Sequence, residues 1–245
     1  MSDQNIHVKV LNPDGMTPAE VHFRTGQLPT PFQYQGYSYT LDSIQSVIDL
    51  ILWKGSKENT VIFVNENEVQ VILDNTITSR PKDTARYSYK KSLELEEWGQ
   101  ILGKAIPQKS LIDFLKRLPE DQLDEQAPLL AAVQKLNLAT VITGDYDYED
   151  VNNHVVAFKI KEAEGSTQLP KVLIVHMPLI YGSENVLDME VELEFRAPRN
   201  EGEKPVFLLS MPKFDRYWQE AVEHEVGVLK EALAAHLILD GRGLK

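Results

Sequence analysis

Cysteine is absent from this chain of 245 residues. Disulfides, thiolate nucleophiles and thiolate metal sites are therefore excluded. Long apolar runs are absent too. Those at 172–175 and 206–209 fall far short of the roughly 20 residues that a membrane span needs. Residues 1–10 interleave Asp3, His7 and Lys9 with apolar side chains and lack the apolar stretch of a secretory signal. A soluble, cytoplasmic protein is expected, with no membrane partner. Basic residues are scarce: 25 Lys and Arg against 37 Asp and Glu leave a net charge of −12. That balance disfavours direct nucleic-acid binding, which needs cations to displace counterions, and docking on anionic lipid. Catalytic fingerprints are missing as well. The chain contains no Gly-x-Ser-x-Gly, no phosphate-loop motif, no dinucleotide fingerprint and no His-Glu-x-x-His.

What is present is ordinary for a globular protein: 42% apolar and 25% charged residues. Residues 1–36 carry Pro13, Pro18, Pro29 and Pro31 with Gly15, Gly26 and Gly36, and read as an N-terminal extension with at most one short strand at 7–10. A single domain is expected over 37–245, with a division into lobes 37–137 and 138–245 left open.

Periodicity sets the elements. Thr40 is the expected N-cap of a helix carrying Leu41, Ile44, Val47, Ile48 and Ile51, with Gly55 at its end. The β-branched runs 60–64 and 69–73 flank a polar turn and form a hairpin, and 86–89 is a third strand. Ser92 caps a helix that Gly103 ends, Pro107 opens another, and 119–136 is a third. Strands follow at 139–143, 154–161, 171–179, 186–197 and 205–211. Short connections favour an antiparallel meander. A last helix runs from Phe214 to about Leu239, its stripe being Trp218, Val222, Val226, Leu229, Leu233 and Leu237. The fold class is α+β: an antiparallel sheet, made of the N-terminal hairpin and the C-terminal meander, packed against helices.

Several groups deserve a chemical reading. The cluster Asp145, Asp147, Glu149 and Asp150 has oxygen ligands at alternate positions. It lacks the glycine and the bidentate glutamate of a calcium loop, so a solvated turn is expected. Glu220 and His224 share a helix face, as a metal pair or an ordinary surface pair does, and the ordinary pair is preferred. His176 lies in an apolar strand and is expected to be a hydrogen-bonded core histidine. No cofactor or metal is expected.

The strand from Leu187 to Arg196 alternates strictly. Leu187, Met189, Val191, Leu193 and Phe195 take one face; Asp188, Glu190, Glu192 and Glu194 take the other, about 6.6–6.8 Å apart. Such a strip of negative potential either captures a basic partner or is neutralised across the sheet by Lys159 and Lys161, the preferred reading. The most basic stretch holds Lys82, Arg86, Lys90 and Lys91, with Tyr87 and Tyr89 interleaved as stacking platforms for single-stranded nucleic acid. The alternative, which is preferred, is an exposed edge strand guarded by its cations. The broad apolar arc of the last helix, centred on Trp218, Val222, Leu229, Leu233 and Leu237, is covered either by a second subunit or by helices of the same chain.

A set of segments, in order, carries a resemblance. They are Tyr37-Ser38-Tyr39-Thr40-Leu41 entering a helix, Thr60-Val61-Ile62-Phe63 and its return strand ending Val71-Ile72-Leu73-Asp74, and Arg86-Tyr87 followed by Trp98. Then come Pro107-Gln108-Lys109-Ser110-Leu111-Ile112-Asp113-Phe114, Met177-Pro178-Leu179-Ile180, and the alternating strand ending Phe195-Arg196. From about Tyr37 to His224 the chain resembles the YfdQ-like family of phage and prophage proteins. The resemblance implies an accessory protein made early in phage growth, and it carries over no catalytic residues. The expected function is a non-enzymatic binding protein in the host cytoplasm. It would counteract or sequester a host protein or a small signalling molecule of host defence. The alternative is an accessory to phage DNA replication or recombination. An enzyme with an unrecognised carboxylate site ranks third.

Overall fold

The computed structural model describes residues 35–76, 81–135, 146–147, 153–160, 163–196 and 206–243; at 146–147, 153–160 and 163–168 the description is of the backbone course alone. All but the last two residues of the expected N-terminal extension, the strand expected at 139–143 and the side chains of the acidic cluster at 145–150 lie outside the described residues.

The chain enters through β1 (Ser38–Leu41) and α1 (Ile44–Lys54). Ser43 caps α1, its hydroxyl accepting from the Ser46 N–H at 3.1 Å. Thr40, the expected cap, lies in β1, where the sheet ladder occupies its backbone; the cap falls to the next free hydroxyl. Gly55 ends the helix as expected. A Cβ there would lie 2.5 Å from the Ile51 carbonyl oxygen that its N–H bonds. β2 (Val61–Val64) and β3 (Glu68–Ile72) form the expected hairpin, Val61 opposite Ile72 and Val64 opposite Val69. Asn65 closes the turn by accepting from the N–H groups of Asn67 and Glu68. β4 (Thr84–Ser88) follows, then α2 (Leu93–Gly99), capped by Ser92, and β5 (Ala105–Pro107), which leads into α3 (Gln108–Leu115).

α4 (Gln126–Lys135) is shorter than the helix expected over 119–136. Residues 122–124 bond to a strand edge instead. Asp124 N–H donates to the Ile174 carbonyl at 3.0 Å, and the Gln122 carbonyl accepts from His176 N–H at 2.9 Å. Backbone groups engaged this way are not available to a helix. α3 and α4 tie off each other's ends. The Gln126 amide donates to the Leu115 and Leu118 carbonyls, and the Gln108 amide to Val133.

Then come β6 (Tyr146–Asp147), β7 (Asn153–Ile160), β8 (Ala163–Pro170), β9 (Val172–Pro178), β10 (Val186–Arg196) and β11 (Val206–Ser210). The chain finishes with α5 (Phe214–Ala232) and β12 (Leu237–Asp240). β8 reads as a hydrophilic turn in sequence because its residues, Ala-Glu-Gly-Ser-Thr-Gln-Leu-Pro, carry no period-two apolar pattern. It nonetheless pairs with β7 along its whole length.

The fold is α+β, with an arrangement that differs from one sheet. The hairpin belongs to a five-stranded sheet ordered β1-β4-β3-β2-β12, and the meander to a four-stranded sheet ordered β5-β11-β10-β9. A third, β6-β7-β8, stands apart in pairing. The first sheet is mixed, with β1 parallel to β4 and β12 parallel to β2. The division at residue 137 does not separate the sheets: β5 precedes it and joins the second, while β12 follows it and completes the first. One apolar cluster runs through both, from Val47 and Ile51 of α1 to Met189 and Val191 of β10 and Leu229 of α5. Trp98 and Phe114 meet edge to face within it, ring centroids 5.0 Å apart.

α5 begins where expected and ends earlier. The His236 N–H bonds the Leu233 carbonyl in a closing turn, and Leu237 passes into β12 rather than extending the helix. The open edge of β2 offers a ladder to Leu-Ile-Leu, and strand pairing satisfies both edges at once.

Candidate functional site

The alternation of β10 is realised. Leu187, Met189, Val191, Leu193 and Phe195 are buried; Asp188, Glu192 and Glu194 are exposed, and Glu190 is half-buried. The side chains of Lys159 and Lys161, the cations expected to neutralise the acidic strip, lie outside the described residues; β7, whose backbone carries position 159, pairs with β6 and β8. Among the described residues Glu190 meets Lys213 Nζ at 2.5 Å, and Arg196 forks onto Glu194 at 2.8 and 2.9 Å. Arg196 is a local neighbour of Glu194 on the same strand, whereas Lys213 reaches Glu190 only through the chain's return. In the ladder Glu192 stands between Val172 and Ser210.

His176 is not a core histidine. It projects from the polar face of β9, with Nδ1 2.7 Å from Asp188 Oδ1 and Nε2 2.9 Å from Asp124 Oδ1. Ionised carboxylates only accept, so the two hydrogen bonds form together when each ring nitrogen carries a hydrogen, the imidazolium form. Asp124 first, then Asp188, hold the ring's pKa above its ordinary value.

The basic stretch is likewise engaged. Lys82 donates to Asn75, Arg86 pairs with the buried carboxylate of Glu68, and Lys90 meets Asp42 at 2.5 Å. Tyr87 and Tyr89 are only 1% and 9% exposed, with rings edge to face at 5.4 Å. They cannot serve as stacking platforms. Nor is β4 an edge strand. The parallel addition of β1 places it inside the sheet, so its alternate residues point into the core. Burial pushes both phenols up in pKa.

The apolar arc of α5 is covered by its own chain. Val222, Leu229 and Leu233 are buried in the common core, and Trp218 is half-buried and stacked on Phe214 at 6.2 Å. Leu237, expected on the same face, is in β12 and 52% exposed. Glu225 on α5 is 3% exposed and accepts from the Ser183 hydroxyl at 2.6 Å. His224 lies on the helix surface, 3.9 Å from Glu225. Glu220 is exposed on the same helix.

Sequence reasoning missed a cleft of about 870 Å³. β2 and β12 run parallel and end together, at Val64 and Asp240. α5 leads into β12 through a tight turn and therefore folds back over both strand ends. Val64, Val222 and Val226 make an apolar floor, and Gly227 and Gly241 leave the approach open. Gly241 has a φ of +132°, a conformation that admits little but glycine. The Asn65 amide ties the two strand ends by donating to the Gly241 carbonyl at 3.2 Å. Around the rim stand Glu66, Glu223, Asp240, Lys230 and Arg242. Lys230 and Arg242 make no ion pair among the described residues. The cleft thus lies just beyond the carboxyl ends of two parallel strands. The residues come from three stretches, near 65, 226 and 241, which no local motif connects. No helix among the described residues is long and apolar enough to cross a membrane, and no cluster of three metal-ligating groups occurs among them.

No protein-family model, no curated protein and no solved structure matches the chain.

Proposed function

We propose that the protein works by binding rather than by chemistry, as a phage or prophage product in the host cytoplasm that sequesters a small host-derived molecule, such as a defence signal. The observation that carries this reading is the cleft between α5 and the ends of β2 and β12. Its floor of three valines suits the apolar or planar body of a small ligand, and Lys230 and Arg242, which make no ion pair among the described residues, suit an anionic group on it. The resemblance of residues 37–224 to the YfdQ-like family supplies the phage setting. The burial of Tyr87 and Tyr89 removes the feature that supported a nucleic-acid accessory.

Native mass spectrometry of the protein after incubation with a small-molecule extract of infected cells tests the reading. One small adduct per chain is expected. The substitution Val226→Trp fills the cleft and should remove the adduct while the far-ultraviolet circular dichroism stays unchanged. An adduct that survives this substitution in a folded protein, or an extract that yields none, argues against the cleft as the site.

A further inference from the structure

We propose that the cleft takes a short peptide with both ends free, about three residues long, its ammonium held at Glu223 and its carboxylate at Lys230. This rests on the cleft reading and names the class of ligand. The charges of the rim carry it. Two are positive, Lys230 and Arg242, and three are negative, Glu66, Glu223 and Asp240. No ion pair joins any of them among the described residues. Glu66 and Glu223 accept from neutral amides, those of Asn67 at 3.3 Å and Gln219 at 2.8 Å. A purely anionic ligand would gain at the two cations and lose at least as much at the three carboxylates, on a chain that already carries −12. A ligand bearing both signs uses the whole rim.

The α5 wall sets the length. Glu223, Val226, Gly227 and Lys230 all line the cleft, at the three- and four-residue spacing of one helix face. Glu223 and Lys230 are two turns apart, which at a rise of about 1.5 Å per residue is roughly 10 Å. A single amino acid does not span that distance between its ammonium and its carboxylate; three extended residues, at about 3.3–3.6 Å each, do. Val226 falls between the two charges and, with Val64 and Val222, offers the peptide's side chains an apolar bed. Gly227 adds an independent observation. It stands in the helix interior, where alanine is favoured, and a Cβ there would meet nothing within 4 Å. Packing within the chain does not require this glycine. Its bare backbone, midway along the charged stripe, lets a ligand's main chain lie against the helix.

A synthetic mixture of tripeptides of Ala, Val, Leu and Phe with free ends should give adducts of one peptide per chain in native mass spectrometry. The same mixture acetylated at the amino end, or amidated at the carboxyl end, should bind about tenfold less, and so should the single amino acids. Each charge has its own readout. Lys230→Gln should remove the discrimination against amidated peptides and keep that against acetylated ones, and Glu223→Gln should do the reverse. Both side chains are exposed, so the fold is retained. Gly227→Ala should raise the melting temperature while weakening the peptide severalfold. An extract adduct that Val226→Trp removes, with no adduct from the free-ended tripeptides, would overturn the peptide class and leave the cleft reading standing. Failure of extract and tripeptides alike would overturn both. Capped peptides that bind as well as free ones, or discrimination unchanged in Lys230→Gln and Glu223→Gln, would overturn the proposal as well.

Discussion

His176 shows how a single residue joins two segments distant in sequence. Its ring lies between Asp124, on the loop before α4, and Asp188, on β10. An unfolded histidine titrates near pH 6.5, and the folded one is raised. The clamp's stabilisation is therefore complete below the unfolded value and is lost as pH rises through the folded value. Both carboxylates are well exposed, so the effect is about 1 kcal/mol at most. Urea titrations on either side of this window should show the wild type losing stability with rising pH, and His176→Ala should flatten that component. Glu225 offers the opposite case, a carboxylate with almost no access to water. Ser183→Ala removes its hydroxyl donor and should cost about 1–3 kcal/mol, the penalty for a stranded buried acceptor. A shift in the urea midpoint at constant slope is the measurement.

At the scale of an element, β10 separates packing from charge along one strand. Phe195 is buried and meets Phe207 at 5.3 Å between centroids. Phe195→Ala should cost about 3–5 kcal/mol. Glu192, three ladder rows away on the wet face, has no charged partner in its register. Glu192→Lys should stay within about 0.5 kcal/mol of the wild type by thermal unfolding. A strand slipped by one residue would invert both results. The helices show local chemistry at work in the same way. Ser43, Ser92 and Gly55 act where their side chains, or the lack of one, meet orphan backbone groups, and such contacts span only three or four residues.

For the whole molecule, the return of the chain end to the first sheet is the decisive feature. β12 covers the edge of β2 and, with α5, builds the cleft. Deleting residues 237–245 should lower the melting temperature and abolish the small-molecule adduct together, because the same strand supplies both the edge and one wall. Differential scanning fluorimetry and native mass spectrometry read the two effects on one preparation.

Sequence alone was sufficient for what neighbours a few residues apart decide. The β2–β3 hairpin, the Ser92 cap, the Gly55 stop and the two faces of β10 depend on turn chemistry, capping and alternation, all local, and the α+β class followed from them. Tertiary structure decided where competing partners existed. Leu237 continues a helical stripe in sequence, yet the unpaired edge of β2 drew it into a strand. Tyr87 and Tyr89 alternate with cations as surface aromatics do, yet β1 enclosed their strand. Asp188 and Glu190 of β10 found His176 and Lys213, which lie 12 and 23 residues away in the chain, because pairing between strands is set by the competition among whole edges for hydrogen bonds. The cleft exists only once three remote stretches meet at the ends of β2 and β12, so its residues share a place in space and no pattern in the chain.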